Sequence, residues 1–201
     1  QPGGRTKPPS NSVNARTLAA IPLYMHQYFI CNQEKVTSKL QTLTLTDKSD
    51  SEWTENYIDN KSNEKWILVR YHSEYNGGGL PVLKRLPEPT TEELIDIALS
   101  SLDKNDIIGA SLELADREKV KKEDFRDKLI KQLLAIPVSK LTGFERERLK
   151  IIIYESDLYD PTNRRNIIGK HFTEIESDAE YYRVVAQNAK GILIEIDKYS
   201  S

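Results

Sequence analysis

Between Pro87 and Thr91 the hydrophobic period of this chain changes, and the change limits the folds open to it. Before it, "KLQTLTLT" sets Leu43 and Leu45 among threonines, and "KWILVRYHS" alternates from one residue to the next. That is the two-residue period a pleated strand imposes. After it, apolar residues recur every three to four positions. "TTEELIDIALSSL" opens with Thr90 and Glu93 at capping-box spacing and carries Leu94, Ile97, Ala98 and Leu102 in one stripe. Strands followed by helices, rather than interleaved with them, predict an α+β fold. The expected form is a small N-terminal antiparallel β region with a hairpin, followed by a C-terminal bundle or stack of helical hairpins.

Three segments follow from this reading. Residues 1–17 are rich in Pro, Gly, Ser and Asn without apolar periodicity, and read as an extended arm. Residues 18–88 form the β-rich region. Alternation there puts Trp66, Leu68, Arg70 and His72 on one face and Ile67, Val69 and Tyr71 on the other, while "DKSDSEWTENYIDNKSNE" is expected to cap the sheet edge through Trp53 and Tyr57. Residues 89–201 form the helical hairpin domain. A second helix is capped by Asp103 or Asn105, and a third aligns Phe125, Leu129, Ile130, Leu133 and Leu134 before Pro137 stops it. The box Thr142–Glu145 starts a fourth, Pro161–Gly169 opens a fifth through Ile168, Phe172 and Ile175, and Ser177 with Glu180 caps a sixth. Short connections predict antiparallel neighbours in sequence order.

Composition removes several classes of function. Of 201 residues, 38% are hydrophobic and 30% charged, and no apolar run approaches the ~20 residues of a membrane span, so a soluble chain is expected. Lys+Arg 29 against Asp+Glu 31 leaves a net charge of -2 with the signs interleaved, so no nucleic-acid partner is expected. Cys31 is the single cysteine and reads as a small buried hydrophobe. His26, His72 and His171 lie in separate segments without metal-ligand spacing, and no nucleotide or nucleophile-elbow motif is present, so neither metal nor cofactor is expected. The chain begins at Gln1, which agrees with a removed signal peptide or with a trimmed polar tail. The compartment, cytoplasmic or exported, stays open.

The stretch "RYHSEYNGGGLP" holds the candidate site: Trp66 just before it, then Arg70, His72, Glu74, Tyr75, Gly77, Gly78 and Gly79. The glycines have a sufficient reason in a tight reversal between two strands. Two readings of the polar residues remain. In one they are a recognition surface for another protein, since arginine and aromatic side chains dominate interfaces. In the other they serve a small hydrolase or transferase, with His72 as general base, Glu74 orienting it and Arg70 clamping an anion. The recognition reading needs no nucleophile, metal or second acid, none of which the neighbourhood supplies. A third possibility is a structural domain of an exported assembly.

Two resemblances extend these expectations. "ELIDIALSSLDKNDIIGASLELA", residues 93–115, resembles one HEAT-type helical repeat: an amphipathic helix ending in a leucine, an Asp-x-x-Asp turn at Asp103 and Asp106, and a second helix with small residues at Gly109 and Ala110. The basic residue usual early in that second helix is replaced here by Ile108 and Gly109. The layout of a small mixed region with a Gly-rich hairpin followed by such helices is similar to immunity proteins of bacterial polymorphic toxin systems. That resemblance implies a non-catalytic inhibitor whose partner is a cognate toxin.

Overall fold

The computed structural model describes residues 27–49, 54–73, 78–165 and 168–199; the expected 1–17 arm, His26 and Trp53 lie outside them. The fold is α+β, with a five-stranded antiparallel sheet in the order β1-β5-β4-β3-β2. Its strands are β1 (Phe29–Ile30), β2 (Thr44–Ser49), β3 (Thr54–Ile58), β4 (Lys65–Tyr71) and β5 (Leu80–Leu86). A helix, α1 (Gln33–Leu40), runs between β1 and β2. After the sheet come α2 (Thr91–Ser100), α3 (Lys104–Lys121), α4 (Arg126–Leu134), a 3-10 turn (Val138–Lys140), α5 (Gly143–Glu155) and α6 (Phe172–Asp197).

Alternation along β4 and β5 loads both faces of the sheet. Trp66, Leu68 and Leu83 meet Ile30 and Val36 of α1 in a small core on one face. Tyr71, Val82 and Phe29 point the other way, into the large core shared with the helices. Each such side chain contributes roughly 1.5–3 kcal/mol when fully buried. The sequence gives no helical stripe for α1, because Val36 is its single buried residue. Asn32 starts this helix by accepting a hydrogen bond from the Lys35 amide at 3.0 Å. The segment expected to cap the edge is itself a strand, β3, paired on both sides with Tyr57 opposite Leu45 and Trp66. The true edge is β2, where a bulge between Leu45 and Asp47, with Asp47 and Lys48 beside it, disfavours pairing with another strand.

The far edge is closed by α3. Asp106 accepts hydrogen bonds from the amides of Tyr28 and Phe29 at 2.8 and 2.9 Å, and Asn105 from those of Cys31 and Asn32 at 3.0 and 3.1 Å. The strand thereby lies against the helix, and a Cβ on Gly109 would sit 2.2 Å from Cγ of Phe29. Only glycine admits that approach. Cys31 is buried here and donates to the Asn105 carbonyl at 3.3 Å, while burial pushes its thiol pKa well up.

α2 packs chiefly on α3, the sequential pair expected, and both predicted capping boxes form, at Thr90–Glu93 and Thr142–Glu145. Beyond that pair the order departs from expectation, since α3 packs on α5 and α4 on α6. The fifth and sixth helices are also corrected. One 26-residue helix, α6, begins at Phe172 and passes through Ser177, while 156–171 is turns and irregular chain where described. A buried stripe from Tyr182 through Val185, Ala189 and Ile192 to Ile196 seats the body of α6. Its first turns run past the would-be cap because Glu174 accepts from the His171 amide at 3.0 Å and Asp178 pairs with Lys170 and Arg165.

Candidate functional site

β4 and β5 pair antiparallel with Tyr71 opposite Leu80, as the hairpin reading requires; of their connection, His72, Ser73, Gly78 and Gly79 are described. Gly79 has φ +67° and a Cβ there would lie 2.7 Å from the Tyr71 carbonyl oxygen, whereas one on Gly78 would meet nothing within 4 Å. Glu74, Tyr75 and Gly77 lie outside the described residues. Extended geometry stops at Tyr71, because His72 has φ 56°. The alternation expected to bring Arg70, His72 and Glu74 onto one face therefore does not continue through His72. Trp66 is 3% exposed beneath α1, with the Lys39 ammonium 5.2 Å from its ring centroid. It supports the strand from below, while Arg70 is exposed.

Arg70, His72 and Ser73 line a cleft of ≈ 850 Å³. Its second wall is α3, through Leu112, Ala115, Asp116, Lys119 and Val120, and its third is the segment after α5, through Asp157, Asp160, Thr162 and Arg164. Tyrosines Tyr154 and Tyr159, both exposed, flank that third wall in the chain and stack edge to face with centroids 5.4 Å apart.

Two buried charge networks brace these walls. Behind the hairpin, Glu113 of α3 receives Lys84 Nζ at 3.0 Å, Arg117 Nε at 2.8 Å and the Tyr71 hydroxyl. Burial acts to raise the Glu113 pKa, but the Lys84 charge and the bonds from Tyr71, Arg117 and Lys84 hold it below the carboxylate range. Under the third wall, Arg126 is fully buried. Its Nε donates to Glu118 at 2.7 and 2.9 Å, and its Nη1 to the Asp157 carbonyl at 2.9 Å. The Tyr182 hydroxyl also donates to Glu118 at 3.1 Å, and its ring lies 4.8 Å from the Arg126 guanidinium. Arg164 then clamps Asp157 and Asp160 at 2.8 and 3.0 Å.

Two carboxylates stand outside both networks. Burial raises Asp116, with the Glu113 charge adding to it, and burial raises Glu155, although the His72 charge acts to lower both. Neither makes a hydrogen bond or ion pair among the described residues. Asp116, Glu155, Tyr154 and Tyr159 were not singled out in the sequence. The available signal was a carboxylate at Asp116 beside the buried Leu112 and Ala115. Among the described residues no group of three or more His, Cys, Asp or Glu side chains is placed to hold a metal ion, and no helix is long and apolar enough to cross a membrane. No family model, curated protein or solved structure matches the chain.

Proposed function

We propose that this protein is a non-catalytic recognition module that engages another protein at the cleft between the β4–β5 hairpin, α3 and residues 157–164. The observation that carries this reading is the bracing of an open cleft by two buried ion-pair networks, with exposed Arg70 lining it and the exposed Tyr154–Tyr159 pair next in the chain to its third wall. A rigid surface bearing arginine and tyrosine loses little side-chain freedom on binding, and those residue types carry most interface energy. An immunity-type inhibitor of a cognate toxin is the specific form that the layout supports, and the α2–α3 hairpin supports reading 93–115 as one HEAT-type unit. A titration with any toxin that a neighbouring gene encodes tests it. Arg70→Ala with Tyr159→Ala is expected to weaken binding at least about 30-fold, the scale of an interface hot spot near 2 kcal/mol. Unchanged affinity in a folded double variant would overturn the reading.

One observation favours a second reading. His72 is held in the left-handed region at the cleft, within electrostatic reach of Asp116 and Glu155, and strained residues concentrate at active sites. A hydrolase or transferase would then use His72 as base with Arg70 binding an anion. Loss of a measured turnover in His72→Ala, with melting temperature and partner binding retained, would decide for it.

A further inference from the structure

Helix α6 carries a glycine that nothing within the described chain explains. Gly191 lies inside the helix, where glycine is less favourable than alanine, yet a Cβ there would meet nothing within 4 Å. Gly109 of α3, by contrast, makes room for Phe29. The room at Gly191 opens on the outer side of α6, opposite the buried stripe through Tyr182, Val185, Ala189, Ile192 and Ile196.

That outer side is a seam. Glu180, Val184, Gln187, Gly191, Ile194 and Lys198 are all exposed and follow one another at alternating steps of four and three residues, the spacing of the contact positions of a coiled coil. Val184 and Ile194, apolar members of it, are 42% and 62% exposed.

Read backwards, the seam complements itself. An antiparallel second copy, with its twofold axis level with Ala189, sets Glu180 against Lys198, Val184 against Ile194 and Gln187 against Gly191, each pair occurring twice. Opposite charges then meet, apolar side chains meet, and the glutamine side chain lies over the open glycine. On one flank Arg183 falls beside Asp197 of the second copy, while Lys190, close to the axis, meets its own counterpart and weakens the pairing. A parallel copy would instead set Glu180 against Glu180 and Lys198 against Lys198. We propose that α6 is a self-association surface through which two copies of this chain pair as an antiparallel helix dimer. The seam shares no residue with the cleft, so the inference stands apart from the recognition reading.

Sedimentation equilibrium of the whole protein tests it. From 180 to 198 the seam is about 27 Å long, and with so few apolar side chains a weak dimer is expected, with Kd about 100 µM. Val184→Glu and Ile194→Glu are each expected to weaken it at least about tenfold, while melting as the parent does in dilute solution, because both side chains are exposed. Cysteine linking fixes the register, since Cys31 is buried and only introduced thiols are available. An oxidised mixture of Val184→Cys and Ile194→Cys proteins should link readily. Either variant alone should not, because its two thiols are then roughly 15 Å apart along the helix pair, against the ~4 Å Cβ spacing of a disulfide. A protein that stays monomeric to about 1 mM, glutamate variants that associate as the parent does, or single variants that link as readily as the mixture would each overturn the inference.

Discussion

Lys84 Nζ and Glu113 Oε2 lie 3.0 Å apart with side chains 6% and 3% exposed, so an ion pair in the protein interior ties strand β5 to helix α3. Arg117 and the Tyr71 hydroxyl complete the coordination of the carboxylate, and Glu88 pairs with Lys84 at 2.9 Å and with Arg117 at 3.3 Å. Such a pair need not stabilise the fold relative to apolar residues of the same shape, but breaking it strands a charge. Glu113→Gln is therefore expected to lower stability by about 3–5 kcal/mol in urea unfolding, with much of the loss recovered in Lys84→Met, Glu113→Leu. A single-variant loss below about 1 kcal/mol would show that the pair is not anchored as described.

The same carboxylate sets an acid limit. Its folded pKa is held below the unfolded value, so its contribution is present above the unfolded carboxylate range and is lost as pH falls through the folded one. Asp116 works in the opposite sense. Its raised folded pKa makes the charged form a liability that grows as pH rises through that value and disappears below the ordinary aspartate range. Asp116→Asn should accordingly raise the melting temperature at pH 7 and lose that advantage on acidification. A variant less stable than the parent at pH 7 would refute the assignment.

Adjacent glycines separate sharply. Gly79→Ala must hold a Cβ at φ +67° and 2.7 Å from the Tyr71 carbonyl oxygen, and should cost at least about 1–2 kcal/mol. Gly78→Ala meets open space and should stay within about 0.5 kcal/mol of the parent. Chemical denaturation of the two variants side by side checks the contrast, and equal losses would contradict the described end of the hairpin.

Alanine at Gly109 would ordinarily help a helix by up to about 1 kcal/mol. Here the added methyl meets the Phe29 ring, so the change is expected to destabilise by about 1–3 kcal/mol through overpacking. Combining it with Phe29→Ala, which removes Cγ and the ring, should cost less than the sum of the single changes, because both act on one contact. Strict additivity would place Phe29 elsewhere.

Much of the architecture was legible along the chain. The capping boxes at Thr90 and Thr142 form as spaced, with Glu93 accepting from the Thr90 amide and Glu145 from the Thr142 amide, each at 2.7 Å. Alternation over 65–71 and 80–86 marked two central strands, and the change of period marked where sheet gives way to helix. These signals are local, since a cap spans three residues and a pleat repeats every second one. What they left undetermined were elements whose stability comes from distant partners. α1 buries one apolar side chain against the sheet, and β3 is polar enough to resemble a loop until β2 and β4 hydrogen-bond to it. Ser177 lies inside α6 because the helix is capped earlier, at His171, and held there by Asp178 pairing with Lys170 and Arg165. The cleft depends on tertiary structure most of all. Arg70, Asp116 and Arg164 belong to three separate stretches of chain. Their proximity follows from buried contacts such as Lys84–Glu113 and the Arg126 bond to the Asp157 carbonyl, which act between residues 29 and 31 apart in sequence and leave no periodic trace in it.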